Sequence, residues 1–177
     1  WNDGAVLQYL FLLCGIAIIK EYIQCQTKKL HYHRTHQQCR TRSENVCIKV
    51  NQAGRIGTHG MHDVTEGGIL GAVWEMCSIA GTGARLDAEA IPADDVTRRI
   101  CEHYDINMLR LISSGSMLIM TEEDKKEEII RELAAQGIPA AQIGKIVPKE
   151  EGLSICEGGK QTQIGPPGPD ELYKIVK

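Results

Sequence analysis

No two cysteines in this sequence are spaced C-x-x-C, no apolar run reaches membrane length, and there is no surplus of basic charge. Each absence excludes a class. The seven cysteines, at 14, 25, 39, 47, 77, 101 and 156, make an odd count. Secreted disulfide frameworks carry an even count in a shorter chain, so reduced thiols are expected. A net charge of −3 speaks against a nucleic-acid binder. The longest apolar run, Ala5–Ile19, has 15 residues with Gln8 and Tyr9 inside it. A bilayer span needs about 20. A signal peptide needs a basic leader and a small-residue cleavage site, and here Asp3 precedes the run. A buried strand or helix is the first expectation, a membrane-associated segment the lesser one. The cytoplasm is the expected compartment. The chain begins with Trp1, so it is expected to be a piece whose natural start lies elsewhere.

What is present is ordinary for a folded protein: 177 residues, 42% hydrophobic, 24% charged and 5% aromatic. That composition excludes disordered, collagen-like and coiled-coil chains. A chain this long buries roughly 70% of its unfolded surface. The charge is uneven, with a balance of +5 over residues 1–55 and −8 over residues 56–177. The first stretch holds four of the seven cysteines and only three of the eighteen glycines. This contrast predicts two regions: residues 1–42, unassigned, and residues 43–177, a folded domain. The segment Cys25–Cys39 carries His31, His33, His36 and Cys39. These are zinc-ligand types at spacings that fit no zinc finger. A His-rich basic connector is the plainer expectation, and no metal ligand is assigned.

From Ser43 onward the punctuation is regular. Ser43-Glu44 opens a helical stretch that Gly54 is expected to stop. Thr65 is expected to cap a helix over 66–80, apolar on more than one face and ended by Gly81. Arg85–Leu86 reads as a strand, and Pro92 opens a helix to about Tyr104. Leu109–Ile112 and Ser116–Met120 read as strands around Ser113-Ser114-Gly115. Thr121 is expected to cap a helix whose core face is Ile129, Ile130, Leu133 and Ala134. Ile143–Val147, Leu153–Cys156 and Gln161–Ile164 read as strands, the last two joined by Gly158-Gly159. A short helix, Glu171–Val176, follows the prolines. Strands interleaved with helices give an α+β class, with a mixed sheet covered by helices in α/β/α layers.

The segment Met61–Leu70, MHDVTEGGIL, concentrates the chemistry. Free N–H groups at a helix start favour phosphate or carboxylate, and glycines let a ligand approach the backbone. Asp63 is suited to hold a metal ion or orient a nucleophile. The plainer alternative is a capped helix whose glycines serve tight packing. The two differ at Gly68. A phosphate role predicts that Gly68→Val abolishes binding and spares the fold. A packing role predicts that it melts the domain.

Residues 57–174 resemble the C-terminal domain of the superfamily that contains aminoimidazole ribonucleotide (AIR) synthase, selenophosphate synthetase, thiamine-monophosphate kinase and the hydrogenase-maturation protein HypE. The residues that carry the resemblance are MHDVTEGGILGAVWEM, LISSGSMLIM, IGKIV and the tail IGPPGPDELYKIV, in that order. The resemblance implies ATP and magnesium as cofactors, with most of their site in a separate N-terminal domain, and a homodimer. It implies ATP-dependent activation of an oxygen on a small-molecule or protein substrate. Asp63 would be the catalytic carboxylate. Thr65, Gly67, Gly68, Ser113, Ser114 and Gly115 would line the phosphate end of the cleft. Two departures accompany it. HypE proteins have Asn-Glu-Gly where this chain has Ser113-Ser114-Gly115, and they end in a reactive cysteine where this chain ends in Ile175-Val176-Lys177. Because the implied Mg-ATP ligands lie mostly in the separate N-terminal domain, which residues 1–55 do not resemble, the isolated chain is expected to be inactive. The alternative function is a non-catalytic binding or assembly module of the same fold, with the 31–39 segment as its metal site.

Overall fold

The computed structural model describes residues 7–12 and 53–175. Seven strands form one mixed sheet: β1 Leu7–Leu12, β2 Gly60–Asp63, β3 Gly83–Asp87, β4 Met117–Glu122, β5 Ala140–Val147, β6 Leu153–Glu157 and β7 Lys160–Gln163. Their order is β2-β4-β1-β5-β3-β6-β7. All neighbours are antiparallel except β3 and β6, which run parallel with Leu86 beside Ile155. Among the described residues the longer helices are α1 Gly68–Ala80, α2 Asp95–Tyr104 and α3 Glu123–Ala135, of which α1 and α3 pack on the sheet.

β4 shows why the sheet is covered on both faces. Successive side chains of a strand point to opposite faces, and every residue from Met117 to Thr121 is buried. Leu118 and Met120 pack with Val73 and Met76 of α1, while Met117 and Ile119 pack with Ile129 and Leu133 of α3. Neither Leu118 nor Ile119 exposes any surface, and each contributes about 2 kcal/mol of transfer free energy. The α/β/α layering expected from the sequence is the observed architecture.

β1 lies within the segment 1–42 that charge and glycine usage set apart, and inside the Ala5–Ile19 run. It pairs with β4 on one side and β5 on the other. That segment thus supplies an interior strand of the sheet. Composition carries no record of backbone pairing, which joins segments far apart in sequence. His31, His33, His36 and Cys39 lie outside the described residues.

Several local expectations shift. Residues 53–56 are helical, so the stretch runs past Gly54, and the N–H of Gly57 closes it on the carbonyl of Ala53. α2 begins after Asp94, whose side chain accepts from the Thr97 N–H, three residues beyond the expected start at Pro92. Leu109–Ile112 is no strand. Met108–Arg110 forms a 3₁₀ turn because the Asn107 side chain accepts from the Leu109 N–H. Thr121 caps no helix. It stays in β4, buried, and its hydroxyl donates to the carbonyl of Gly57. The final helix is a single 3₁₀ turn, Glu171–Lys174, capped by Asp170.

Candidate functional site

β2 is an edge strand that ends at Asp63 opposite Met117. One residue on, the Val64 N–H donates to the carbonyl of Ser116 at 3.0 Å, and the Val64 side chain is fully buried. A buried apolar residue between two polar ones sends both neighbours outward. Asp63 and Thr65 are accordingly exposed. The same Val64–Ser116 bond brings the Ser113–Ser116 turn alongside. The Ser113 and Ser116 hydroxyls hydrogen-bond at 2.8 Å, and Ser114 bridges to Ser116. Ser113, Ser114 and Gly115 are half-buried. The structure thus brings Asp63 and Thr65 to one edge with Ser113–Gly115.

Gly67 and Gly68 serve a different geometry from an open phosphate cradle. α1 is capped by Gly67, at φ 79°, instead of Thr65. The Gly67 N–H donates to Asp170 Oδ2 at 2.9 Å, and the Gly68 N–H donates to the Thr65 carbonyl at 3.1 Å. Both amides are satisfied within the chain. Gly68, at φ 63°, has the 108–110 turn against it: a β-carbon there would lie 2.6 Å from the Leu109 carbonyl oxygen. Packing alone requires a glycine at 68.

Two partners escaped sequence reasoning. His62 Nε2 lies 2.9 Å from Glu75 Oε2 on α1, while Nδ1 faces the Asp63 carbonyl. Helical spacing puts Glu75 two turns into α1 but says nothing about β2. Asp170 is 4% exposed. Its only signal was its place in the tail PPGPDELY, 103 residues from Gly67. On the opposite layer His59 Nε2 lies 3.3 Å from Glu122, and Lys125 is equally close. The hydrogen bond from Lys125, then that from His59, holds the Glu122 carboxyl below its ordinary range.

A cavity of about 510 Å³ opens on the α1 side, lined by Leu70, Cys101, Ile106, Asn107, Arg110 and Ile164 among others. Neither Asp63, Thr65 nor the Ser113–Gly115 turn lines it. Burial, and then the charge of Glu171, pushes the Cys101 thiol up, which keeps it protonated and unreactive. Among the described residues no three His, Cys, Asp or Glu side chains converge to hold a metal ion. Asp63 is an exposed carboxylate, and Thr65, Ser113 and Ser114 carry hydroxyls; these donor types suit a cation and phosphate oxygens without making a full ligand set among the described residues. Among the described residues no helix is long and apolar enough to cross a membrane.

A mixed sheet between helical layers, with a polar edge where β2 meets the start of α1, defines the class. The family model for "AIR synthase related protein, C-terminal domain" matches residues 23–156, more than half of the chain. The chain belongs to that family. It is 28% identical over 92 residues to carbamoyl dehydratase HypE of Azotobacter vinelandii, covering 51% of this chain and 27% of that protein. It is 30% identical over 141 residues to selenide, water dikinase of Escherichia coli K12, covering 63% and 41%. The solved structure of hydrogenase maturation protein HypE in complex with ATP matches with a TM-score of 0.71 at 17% identity. That match covers 98% of this chain and 54% of HypE. The chain thus spans less than half the length of these two relatives and about half of the solved structure.

Proposed function

We propose that this chain is the C-terminal domain of an ATP-dependent enzyme of the AIR synthase/HypE kind. In this reading Asp63, Thr65 and the Ser113–Gly115 turn close over nucleotide phosphates and contribute substrate contacts. The observation that supports it is the pinning of buried Val64 to Ser116, which leaves Asp63 and Thr65 exposed beside two further hydroxyl residues. Phosphoryl transfer is catalysed by positioning and by charge placed around the moving group. Hydroxyls at this edge supply donors to phosphate oxygens. Asp63, a carboxylate, approaches phosphate only through a cation, so its role in this reading is to share magnesium with the N-terminal domain. The Gly67 and Gly68 amides play no direct part, since both are already bonded. A homodimer in the cytoplasm completes the proposal.

The second reading is a binding or assembly module without catalysis. One observation favours it: the two glycine amides expected to cradle phosphate are satisfied internally. Asp63→Asn, in the protein joined to its ATP-binding domain, separates the readings. Lost turnover at an unchanged melting temperature supports the enzyme. Unchanged turnover supports the module.

A further inference from the structure

We infer that residues 165–175 form a strap in which Asp170 positions the Thr65–Gly68 turn. The strap is anchored at its end, where Leu172 and Ile175 pack against the apolar cluster of Cys101, Ile106 and Leu111. From there it reaches both segments that meet at Gly68. Toward α1, Asp170 accepts the Gly67 N–H, the Tyr173 hydroxyl donates to Glu66 at 2.8 Å, and Pro167 packs on Gly67 and Gly71. Toward the 3₁₀ turn, Glu171 accepts the Asn107 N–H at 2.9 Å. One short segment therefore holds the two backbones whose close approach excludes a side chain at 68.

Asp170 suits this role chemically. A helix start has N–H groups without partners, and a carboxylate there is favoured by the helix dipole. Gly67 has no side chain to cap with, and the Thr65 carbonyl is committed to Gly68. Asp170 is itself fixed, because its second oxygen accepts the Leu172 N–H at 2.9 Å. A carboxylate held by two amides, 96% removed from solvent, has one orientation. The Gly67 position is thereby set from residue 170, and with it the path of the Thr65–Gly68 turn into α1. The consequence for nucleotide rests on the proposed function; the positioning of the turn does not.

The test uses the protein joined to its ATP-binding domain with Asp170→Ala, Asp170→Asn and Tyr173→Phe, reading amide hydrogen exchange by residue and Mg-ATP affinity. Asp170→Ala is expected to speed exchange at Gly67 by about tenfold or more, the loss of one charge-assisted hydrogen bond. Amides of α3 around Ile129 and Leu133 should be unchanged. Mg-ATP affinity should fall by a similar factor. Asp170→Asn keeps one acceptor oxygen and should fall between. Tyr173→Phe, at an exposed residue, folds in any case and should loosen Glu66 and Gly67 more weakly. Unchanged exchange at Gly67, or equal acceleration at every amide, would overturn the inference. Altered exchange at Gly67 with Mg-ATP affinity unchanged would uphold the strap and defeat the nucleotide reading.

Discussion

The carboxylate of Asp170 accepts the backbone N–H of Gly67 across 103 residues of chain, at 2.9 Å. This bond replaces the local cap that Thr65-Glu66 resembles. It makes the start of α1 a tertiary construction, dependent on a tail that a reading of the helix alone leaves out.

Gly68→Ala, at φ 63°, is expected to cost the backbone strain of a left-handed residue plus about 1–3 kcal/mol of overpacking. Its β-carbon would meet Leu109, Arg110 and Leu111 backbone atoms at 2.6–2.8 Å. Gly81→Ala is the control. Gly81 also has positive φ, at 67°, but nothing lies within 4 Å of the added carbon. Its cost should be backbone strain alone, about 1–2 kcal/mol. Urea denaturation of both variants measures the difference. A Gly68→Ala variant no less stable than Gly81→Ala contradicts the packing account, and Gly68→Val cannot spare the fold if that account holds.

Acid should weaken the strap. Burial pushes the Glu171 carboxyl up, but the hydrogen bonds from Lys174 and the Asn107 N–H, with the charges of Lys174 and Arg110, outweigh it and leave it below its ordinary 4.5. A group depressed on folding stabilises the protein above its unfolded value and loses that contribution as pH falls through the folded one. Stability should therefore fall as pH drops below 4.5, and Glu171→Gln should flatten part of that limb. An unchanged acid profile in the variant counts against the Glu171 contacts.

Base should reach the strap through a different group. The hydrogen bond to Glu66, and then its charge, raises the Tyr173 hydroxyl above 10. A raised group stabilises the fold below its unfolded value and loses that contribution as pH rises through the folded one. An absorbance titration should show one tyrosine ionising late, and Glu66→Gln should bring it down.

How much of this the sequence discloses depends on how local each cause is. α1 is legible at its end, where Gly81 closes it, and in its core stripe of Ile69, Val73 and Met76. Its start is misread because Thr65-Glu66 imitates a cap while the true acceptor comes from Asp170. Leu109–Ile112 is apolar enough for a strand, but the Asn107 side chain turns the chain first. Thr121 looks like a cap because Glu122, Glu123 and Asp124 follow it, yet its hydroxyl is engaged by Gly57, far away in sequence. Of the site, the edge formed by Asp63, Thr65 and Ser113–Gly115 follows from the motif and the resemblance. The His62–Glu75 pair and Asp170 do not, since the first depends on α1 settling over β2 and the second on the tail reaching the start of α1.

The chain alone is expected to turn over Mg-ATP more slowly than about 1 s⁻¹, the low end of ordinary enzyme rates. In the proposed reading most of the Mg-ATP site lies in a separate N-terminal domain, so the charge that phosphoryl transfer requires is incomplete in this chain alone. Faster magnesium-dependent turnover by the purified chain would place a complete site within it.

The most direct measurement is a residue-by-residue map of backbone amide shifts as Mg-ATP is added to the protein joined to its ATP-binding domain. The account predicts shifts concentrated at residues 63–68 and 113–116. Shifts confined to the cavity lined by Cys101, Asn107 and Arg110, or none at the β2–α1 edge at saturating nucleotide, would contradict it.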